Sequence, residues 1–503
     1  MRKVNGITPT SANKQIFVVI CHSHNFMRYY LPNRYDQVMI SFPNLGPSAV
    51  QCAIESVKKG KKVAVIDKKA GVGGVCVHTG TIPSKTFRES VLHLSGYRHQ
   101  GFYGKSYARD NITLKDILGR VNTVIANEMD VIQAQLKAAR VDLIPGLARF
   151  ENEHEVSVEG DSGQPTRLRG SKFLIACGTR PAHSPLVPVD GKVILDSDDI
   201  LNYDTSKLPK SWIVVGAGVI GMEYASMLNV LPGINVTVVD GRSEILTFCD
   251  DEIVSSLKME MRHNGARFLL GESIKSCEHF KNGVKVEFNS GKAMFAEALL
   301  YCVGRQANTG GLNLEAVGLS RNPRGLITVN EKYQTSHPHI YSAGDCIGAP
   351  SLASTSMEQG RLAACDMWSN KDQTTSQLES GNYPYGIYTI PEISMVGKTE
   401  QQLTKEGVNY AVGLAKFSEL AKSQMGGDIK GTLKILFDPD TQKLLGVHAI
   451  GHGATEIIHI GQVAMAMDCT ITYFRDAVFN YPTLAEGYRV AALNGLGRLT
   501  KEH

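Results

Sequence analysis

From Asp36 onward the chain reads as strand, turn, helix, strand. Residues 63–66 are an unbroken apolar run, short enough for a parallel strand buried on both faces, and the run stops at Asp67. Residues 114–139 then carry apolar positions at helical spacing, with no break beyond Gly119, and predict one long helix or two with a kink. Polar, turn-rich sequence over 151–166 predicts a small antiparallel excursion, and residues 173–176 return as a buried strand before the turn at 177–181. A second strand–turn–helix–strand unit opens at Trp212, with strands at 213–215 and 236–239. Another buried strand is expected at 298–303, and the stretch 340–345 leads into a helix through Met357. Beyond Lys371 the sequence turns polar and small, as a linker would. From Pro384 it mixes strand (433–437) with helix (454–467 and 484–496). The pattern is α/β, with two Rossmann-like units and a C-terminal α+β portion.

Composition narrows this only a little. A chain of 503 residues, 43% hydrophobic and 20% charged, is long enough for about three cores and too apolar for a disordered chain. The net charge of +4 is spread without basic runs, which argues against a nucleic-acid partner. No apolar run nears the roughly 18 residues of a membrane helix; the best early one, 16–21, is six long, so no membrane partner is expected. Ten cysteines without a CxxC pair give neither a disulfide scaffold nor a zinc ligand set, and no metal is expected. The cytoplasm is the expected compartment. Residues up to Arg34 carry bases but no acid, a faint pointer to organellar targeting without the amphipathic arginine pattern that would strengthen it.

The chemistry begins with Gly216-Ala217-Gly218-Val219-Ile220-Gly221, which follows a strand and opens a helix. In that setting the first glycine makes the tight turn, the second lets a pyrophosphate approach the backbone, and the third lets helix and strand pack closely. Asp240, ending the next strand, is placed for an adenosine ribose and favours NAD; Arg242 beside it could instead pair with the 2′-phosphate of NADP. Tolerance of both nucleotides is the expectation, against the plainer reading of Arg242 as a solvated loop residue. The first unit is less regular. Asn44, Gly46 and Ala49 fall where three small turn residues belong and Asp67 where a ribose acid belongs. However, Ser41-Phe42-Pro43 puts a residue without an N–H where a central strand should end. Either that turn is remodelled or the stretch is not native sequence.

Several stretches occur together in one order: Gly73-Gly74-Val75-Cys76 through Ile82-Pro83-Ser84-Lys85, Gly216 to Gly221 with Glu223, Ala343-Gly344-Asp345, and Tyr481-Pro482-Thr483-Leu484-Ala485-Glu486. From Asp36 onward the chain resembles the FAD-dependent pyridine nucleotide-disulfide oxidoreductases, and within them most of all the soluble, Si-specific transhydrogenases. The resemblance implies an FAD domain (35–190 and 290–370) split by an NAD(P) domain (191–289), a linker (371–383), an interface domain (384–503) and a homodimer or larger homo-oligomer. Residues 1–34 remain an extension of unclear role. It further implies that Asn44, Gly46, Ala49, Asp67, Gly73, Gly74, Cys76, Lys85, Gly178, Gly344 and Asp345 serve FAD. Gly216, Gly218, Gly221, Glu223, Asp240, Arg242 and Gly304 would serve NAD or NADP. Lys85 and Glu223 would pair on the nicotinamide side of the flavin, with Tyr481 and Glu486 at a subunit interface.

Disulfide reductases of this family need two sulfurs and an acid–base histidine. Here the residue five places beyond Cys76 is Thr81, and Tyr481 stands in the position of the histidine. A phenol with an ordinary pKa near 10 shuttles protons poorly at neutral pH. The expected activity is therefore reversible hydride exchange between NADPH/NADP+ and NADH/NAD+, by a ping-pong route through flavin and without a redox-active disulfide. A dihydrolipoyl dehydrogenase-like reductase or diaphorase is the alternative, and a nucleotide-binding protein without FAD a further one. Cys76 reads as a packing thiol, His78 as a loop histidine, and His452, Glu456 and His459 as packing or interface residues.

Overall fold

The computed structural model describes residues 16–20, 39–41, 45–67, 71–104, 109, 112–160, 163–203, 208–368 and 381–499. Two compact units emerge. One is drawn from Met1–Ile82, Val124–Arg180 and Arg305–Thr374, the other from Pro83–Thr123, Pro181–Gly304 and Thr375–His503.

The first unit is built on a parallel sheet in the order Ile340–Ser342, Lys172–Ile175, Ile16–Ile20, Lys62–Asp67, Asp142–Pro145, with Met39–Ser41 paired to Ile16–Ile20. This corrects the sequence reading in one respect. The central place goes to Ile16–Ile20, from the stretch left as an extension, and of the strand expected from near Asp36 the described residues show Met39–Ser41. Ile-Phe-Val-Val-Ile is all β-branched or aromatic, whereas Met39–Ser41 runs into Phe42-Pro43, where a ladder donor is missing. The excursion expected at 151–166 is a three-stranded antiparallel sheet, Leu147–Asn152, Glu155–Glu159 and Thr166–Arg169. Helices Pro47–Lys58 and Ala353–Trp368 meet backbone to backbone: a Cβ on Gly360 would lie 2.0 Å from the Ser48 carbonyl oxygen.

The second unit holds the parallel sheet Ile194–Asp196, Ala298–Tyr301, Ser211–Val215, Asn235–Asp240, Arg267–Leu270. Strand Ala298–Tyr301, assigned above to the FAD portion, belongs here. The unit changes at Arg180/Pro181 and Gly304/Arg305, where the expected boundaries were 190/191 and 289/290. The reason is pairing: Ala298–Tyr301 is hydrogen-bonded on both sides by strands of this sheet. The C-terminal portion is a five-stranded antiparallel sheet, ordered Tyr385–Ile387, Ile393–Gly397, Leu444–Ile450, Thr432–Phe437, Ala411–Lys416. Helices Ala454–Ala466 and Glu486–Leu499 contribute to its own apolar core around Phe417, Phe437, Val447, Phe474 and Tyr488. Leu114–Ala138 is one unbroken helix. The expected linker lies mostly outside the described residues.

Candidate active site

The two glycine turns, so unequal as text, have the same geometry. In the second, the Ala217 N–H donates to Asp240 Oδ2 (2.6 Å) and Gly218 caps the helix Val219–Asn229 with φ −81° and ψ −173°. In the first, the Leu45 N–H donates to Asp67 Oδ2 (3.1 Å) and Gly46 caps Pro47–Lys58 with φ −75° and ψ 176°. Leu45 thus matches Ala217, Gly46 matches Gly218, and the buried Ala49 matches Gly221. Asn44 lies outside the described residues. Neither helix has a side-chain cap; in the first, Pro47 has no N–H and the Ala49 N–H bonds the Gly46 carbonyl at 3.1 Å, so Ser48 supplies the first-turn N–H toward an anion such as a pyrophosphate.

The glycines of the second turn divide their work as the motif demands. Gly216 has φ +106°, and a Cβ there would stand 2.5 Å from the Cys302 carbonyl oxygen. A Cβ on Gly221 would be 1.8 Å from the Gly216 carbonyl oxygen, while one on Gly218 would meet nothing within 4 Å. The position nearest a ligand's phosphates is the open one. Gly304 has φ +81°, and its carbonyl accepts the Ala182 N–H.

Within the first unit the remaining predicted FAD residues fit the group. Gly73 (φ +110°) donates its N–H to the Leu45 carbonyl, and a Cβ there would strike Val77 at 2.4 Å. Gly74 (φ +59°) begins the short helix Gly74–His78, and Gly178 (φ +60°) accepts the Asn308 N–H. Gly344 (φ +84°) donates to Gln359 Oε1 at 2.8 Å. Asp345 is half-buried, and desolvation raises its carboxyl above the ordinary range, against the lowering effect of Arg305, Thr179 and Ser356. A desolvated carboxylate on a glycine turn is a natural acceptor for ligand hydroxyls. The segment 73–85 contains two helices, Gly74–His78 and Thr81–Leu94. Cys76 is a partly buried thiol outside any disulfide, and His78, the last residue of the first of these helices and so not the loop residue expected, brings Nε2 to the carbonyls of Gly71 and Val72.

One turn beyond Thr81 on its helix, Lys85 Nζ donates to both oxygens of Glu223, at 2.9 and 2.8 Å. The Glu223 side chain is 4% exposed and that of Lys85 26%. Tyr388, which the sequence reading did not single out, proves to be a third member. Its N–H donates to Glu223 Oε1 at 2.9 Å, and its ring lies 4.9 Å from Lys85 Nζ. Burial raises its phenol pKa, as do Glu392, Glu456 and Glu223 nearby, against a lowering bond with Thr455. The segment bearing Tyr388 is anchored by the buried Arg88, which donates to the Thr389 carbonyl at 3.0 Å and pairs with Glu392 at 3.1 Å.

Arg242 folds back onto Asp240: its N–H and Nε donate to Oδ1 (2.8 and 2.9 Å) and NH2 to Oδ2 (2.7 Å). Its side chain is nonetheless 51% exposed, so the pair with Asp240 sits on a solvated loop. Burial pushes the Asp240 carboxyl up, but the bonds from Arg242 and Ala217 outweigh it and hold the group below the usual range. Tyr481 is 73% exposed and Glu486 opens the last helix. His459 Nδ1 meets Gln462 Oε1 at 2.8 Å. Among the described residues, no helix is long and apolar enough to cross a membrane.

Two dinucleotide-binding folds, each with its strand-end acid hydrogen-bonded to a glycine turn, and a buried lysine–glutamate pair define a nucleotide-dependent oxidoreductase. The family of pyridine nucleotide-disulphide oxidoreductases matches residues 45–360, and its dimerisation domain matches residues 383–492. The chain belongs to that family. Soluble pyridine nucleotide transhydrogenases are similar along nearly their whole length. That of Mycobacterium bovis is 46% identical over 467 residues, covering 92% of this chain and 98% of the relative. That of Erwinia tasmaniensis is 43% identical over 468 residues with the same coverage. Among solved structures, LpdA from Mycobacterium tuberculosis superposes with a TM-score of 0.81 at 26% identity, covering 89% of this chain and 97% of that one. The HOCl-induced flavoprotein disulfide reductase RclA from Escherichia coli gives 0.80 at 26% identity, covering 91% and 99%.

Proposed function

We propose that this protein is an FAD-dependent pyridine nucleotide transhydrogenase, exchanging hydride between NADPH/NADP+ and NADH/NAD+. The observation that carries the reading is the lysine–glutamate pair standing one helical turn past Thr81, a position with a hydroxyl in place of the second sulfur a disulfide relay needs. FAD, when bound, supplies the hydride acceptor and donor that no side chain can replace.

Everything else asked of the chain is binding and orientation. Gly46, Ala49 and the Ser48 N–H in the first turn of Pro47–Lys58 would hold the FAD pyrophosphate, together with Asn44. Asp67 would take its ribose, and Gly73, Gly74, Cys76, Gly178, Gly344 and Asp345 would complete the cradle. Lys85, fixed by Glu223 and Tyr388, is the cation assigned to the nicotinamide side of the flavin. Gly216, Gly218, Gly221 and Gly304 would seat either nicotinamide nucleotide. Asp240 is neutralised by Arg242 in its present arrangement, which lessens the repulsion of a 2′-phosphate. Release of that pair leaves a ribose acceptor for NAD and a guanidinium for NADP. The same site would thus accept both nucleotides in turn.

A second copy of the chain is the partner we assign to the C-terminal portion. Val463, Met467, Tyr473, Val478 and Tyr481 are all exposed in the single chain, and an obligate interface covers such groups. We place the enzyme in the cytoplasm, in keeping with relatives named as soluble.

The test is direct. Purified protein should show a flavin absorbance band and move hydride from NADPH to thio-NAD+ without added dithiol, while leaving lipoamide and other small disulfides unreduced. Rapid disulfide turnover, or protein that neither carries flavin nor accepts it on reconstitution, overturns the reading.

A further inference from the structure

Away from the nucleotide sites, the first unit gathers three imidazoles and a carboxylate from two separate loops. Glu153 and His154 form the tip of the hairpin between Leu147–Asn152 and Glu155–Glu159. His337 and His339 precede the strand Ile340–Ser342. Ligand atoms from Glu153, His154 and His339 all lie within 4.8 Å of one another. The rings of His154 and His339 stack with centroids 4.6 Å apart, His337 stands 6.0 Å from His339, and its Nδ1 is 4.0 Å from Glu153 Oε1.

We propose that Glu153, His154 and His339 form a surface binding site for a borderline divalent cation, Zn2+ first among them, with His337 in reach as a fourth ligand. Nitrogen and carboxylate donors in this ratio suit zinc, with metal–ligand distances of about 2.0–2.2 Å. A tetrahedron of that size needs donor separations of roughly 3.3–3.5 Å, which modest side-chain rotations reach from the present spacing.

Two features prepare the cluster for a metal. First, both loops are pinned through their backbones. The His154 N–H donates to Asn152 Oδ1 at 3.0 Å, the His154 carbonyl accepts Gly170 N–H at 2.9 Å, and the His339 carbonyl accepts Phe173 N–H at 2.9 Å. Second, His339 Nε2 lies 2.7 Å from the Glu153 carbonyl oxygen, so this nitrogen carries the proton and donates. Its Nδ1 lone pair is left for the metal, and the carbonyl becomes the outer partner that orients a ligating imidazole.

A bound ion would tie the hairpin to the strand Ile340–Ser342, which leads into Ala343-Gly344-Asp345. The consequence is a stability linkage between zinc and this unit, independent of the nicotinamide chemistry. The sequence hides the site because the Glu153 and His339 positions are 186 residues apart.

Untagged, flavin-loaded protein, stripped with a chelator, is titrated with ZnCl2 by calorimetry and followed by thermal melting. The expected result is one saturable site and a raised midpoint; in a His154→Asn/His339→Asn variant the affinity falls by about 100-fold and the midpoint no longer responds. His154→Gln alone, which keeps the backbone bond to Asn152, should weaken binding while leaving the zinc-free melting unchanged. Co2+ should give an intense visible band, as tetrahedral nitrogen–oxygen coordination does, and the double variant should lack it. Parent protein that binds no zinc, or variants that bind it as tightly as the parent, overturns the proposal.

Discussion

Replacing Lys85 by methionine removes a charge while nearly preserving side-chain length. Glu223 is then left with a buried carboxylate whose remaining donor is the Tyr388 N–H at 2.9 Å. Breaking a buried pair from one side costs about 3–5 kcal/mol. The surviving Tyr388 bond and the quarter exposure of Lys85 place this case at the low end, near ~3 kcal/mol. At about 2–4 °C per kcal/mol, the melting midpoint of flavin-loaded protein should fall by roughly 6–12 °C. Adding Glu223→Gln removes the stranded charge and should restore most of that loss. Hydride exchange from NADPH to thio-NAD+ should stay low in both Lys85→Met and the double variant, since the cation is absent from each. Scanning fluorimetry and the exchange assay on the two single variants and the double variant therefore separate fold from function. A Lys85→Met protein that melts with the parent, or a double variant no more stable than the single, refutes the buried-pair reasoning. Parental exchange in Lys85→Met refutes the role given to that residue.

Three further outcomes are expected. Arg242→Ala should lower kcat/KM for NADPH by about five- to tenfold, a little over 1 kcal/mol after allowing for a half-exposed guanidinium, and leave NADH nearly unchanged; equal loss with both nucleotides would contradict the assignment. Gly218→Ala should fold like the parent and bind nucleotide poorly. Gly221→Ala, whose Cβ would stand 1.8 Å from a carbonyl oxygen, should destabilise by more than the usual ~1–3 kcal/mol of overpacking, so identical melting curves for the two would count against the turn geometry. His448 is buried, and burial first, then Lys434, holds its pKa below the ordinary value against Asp250, Glu400 and the Lys398 carbonyl. The unfolded chain protonates first, so stability should drop as pH falls below about 6.5 and level off once the depressed native value is passed. His448→Gln should melt with a flatter dependence between pH 7.5 and 5, and equally steep curves would remove His448 from the account.

Motif and context went a long way in this chain. The glycine turn at Gly216, the acid at Asp240 and the lysine–glutamate pair were legible because each depends on local spacing or on a stretch whose order is itself informative. The first glycine turn was harder to read, since Asn44 and Pro43 break the pattern; it became comparable only when Leu45 and Asp67 were found in the hydrogen bond that Ala217 and Asp240 make. The role of Ile16–Ile20 was missed because a five-residue apolar run carries no mark of its partners, which lie in strands far along the chain.

What the sequence alone determined is the class of chemistry: which nucleotides the turns can approach, and that only one sulfur is present in the segment where a relay would need two. These follow from covalent identity and short-range geometry, which folding cannot change. The tertiary structure decided how distant groups meet. Tyr388 steadies Glu223, Arg242 closes on Asp240, and two loops bring together Glu153, His154 and His339. Such encounters are set by strand order and burial, through contacts between residues whose separation along the chain says nothing of their separation in space.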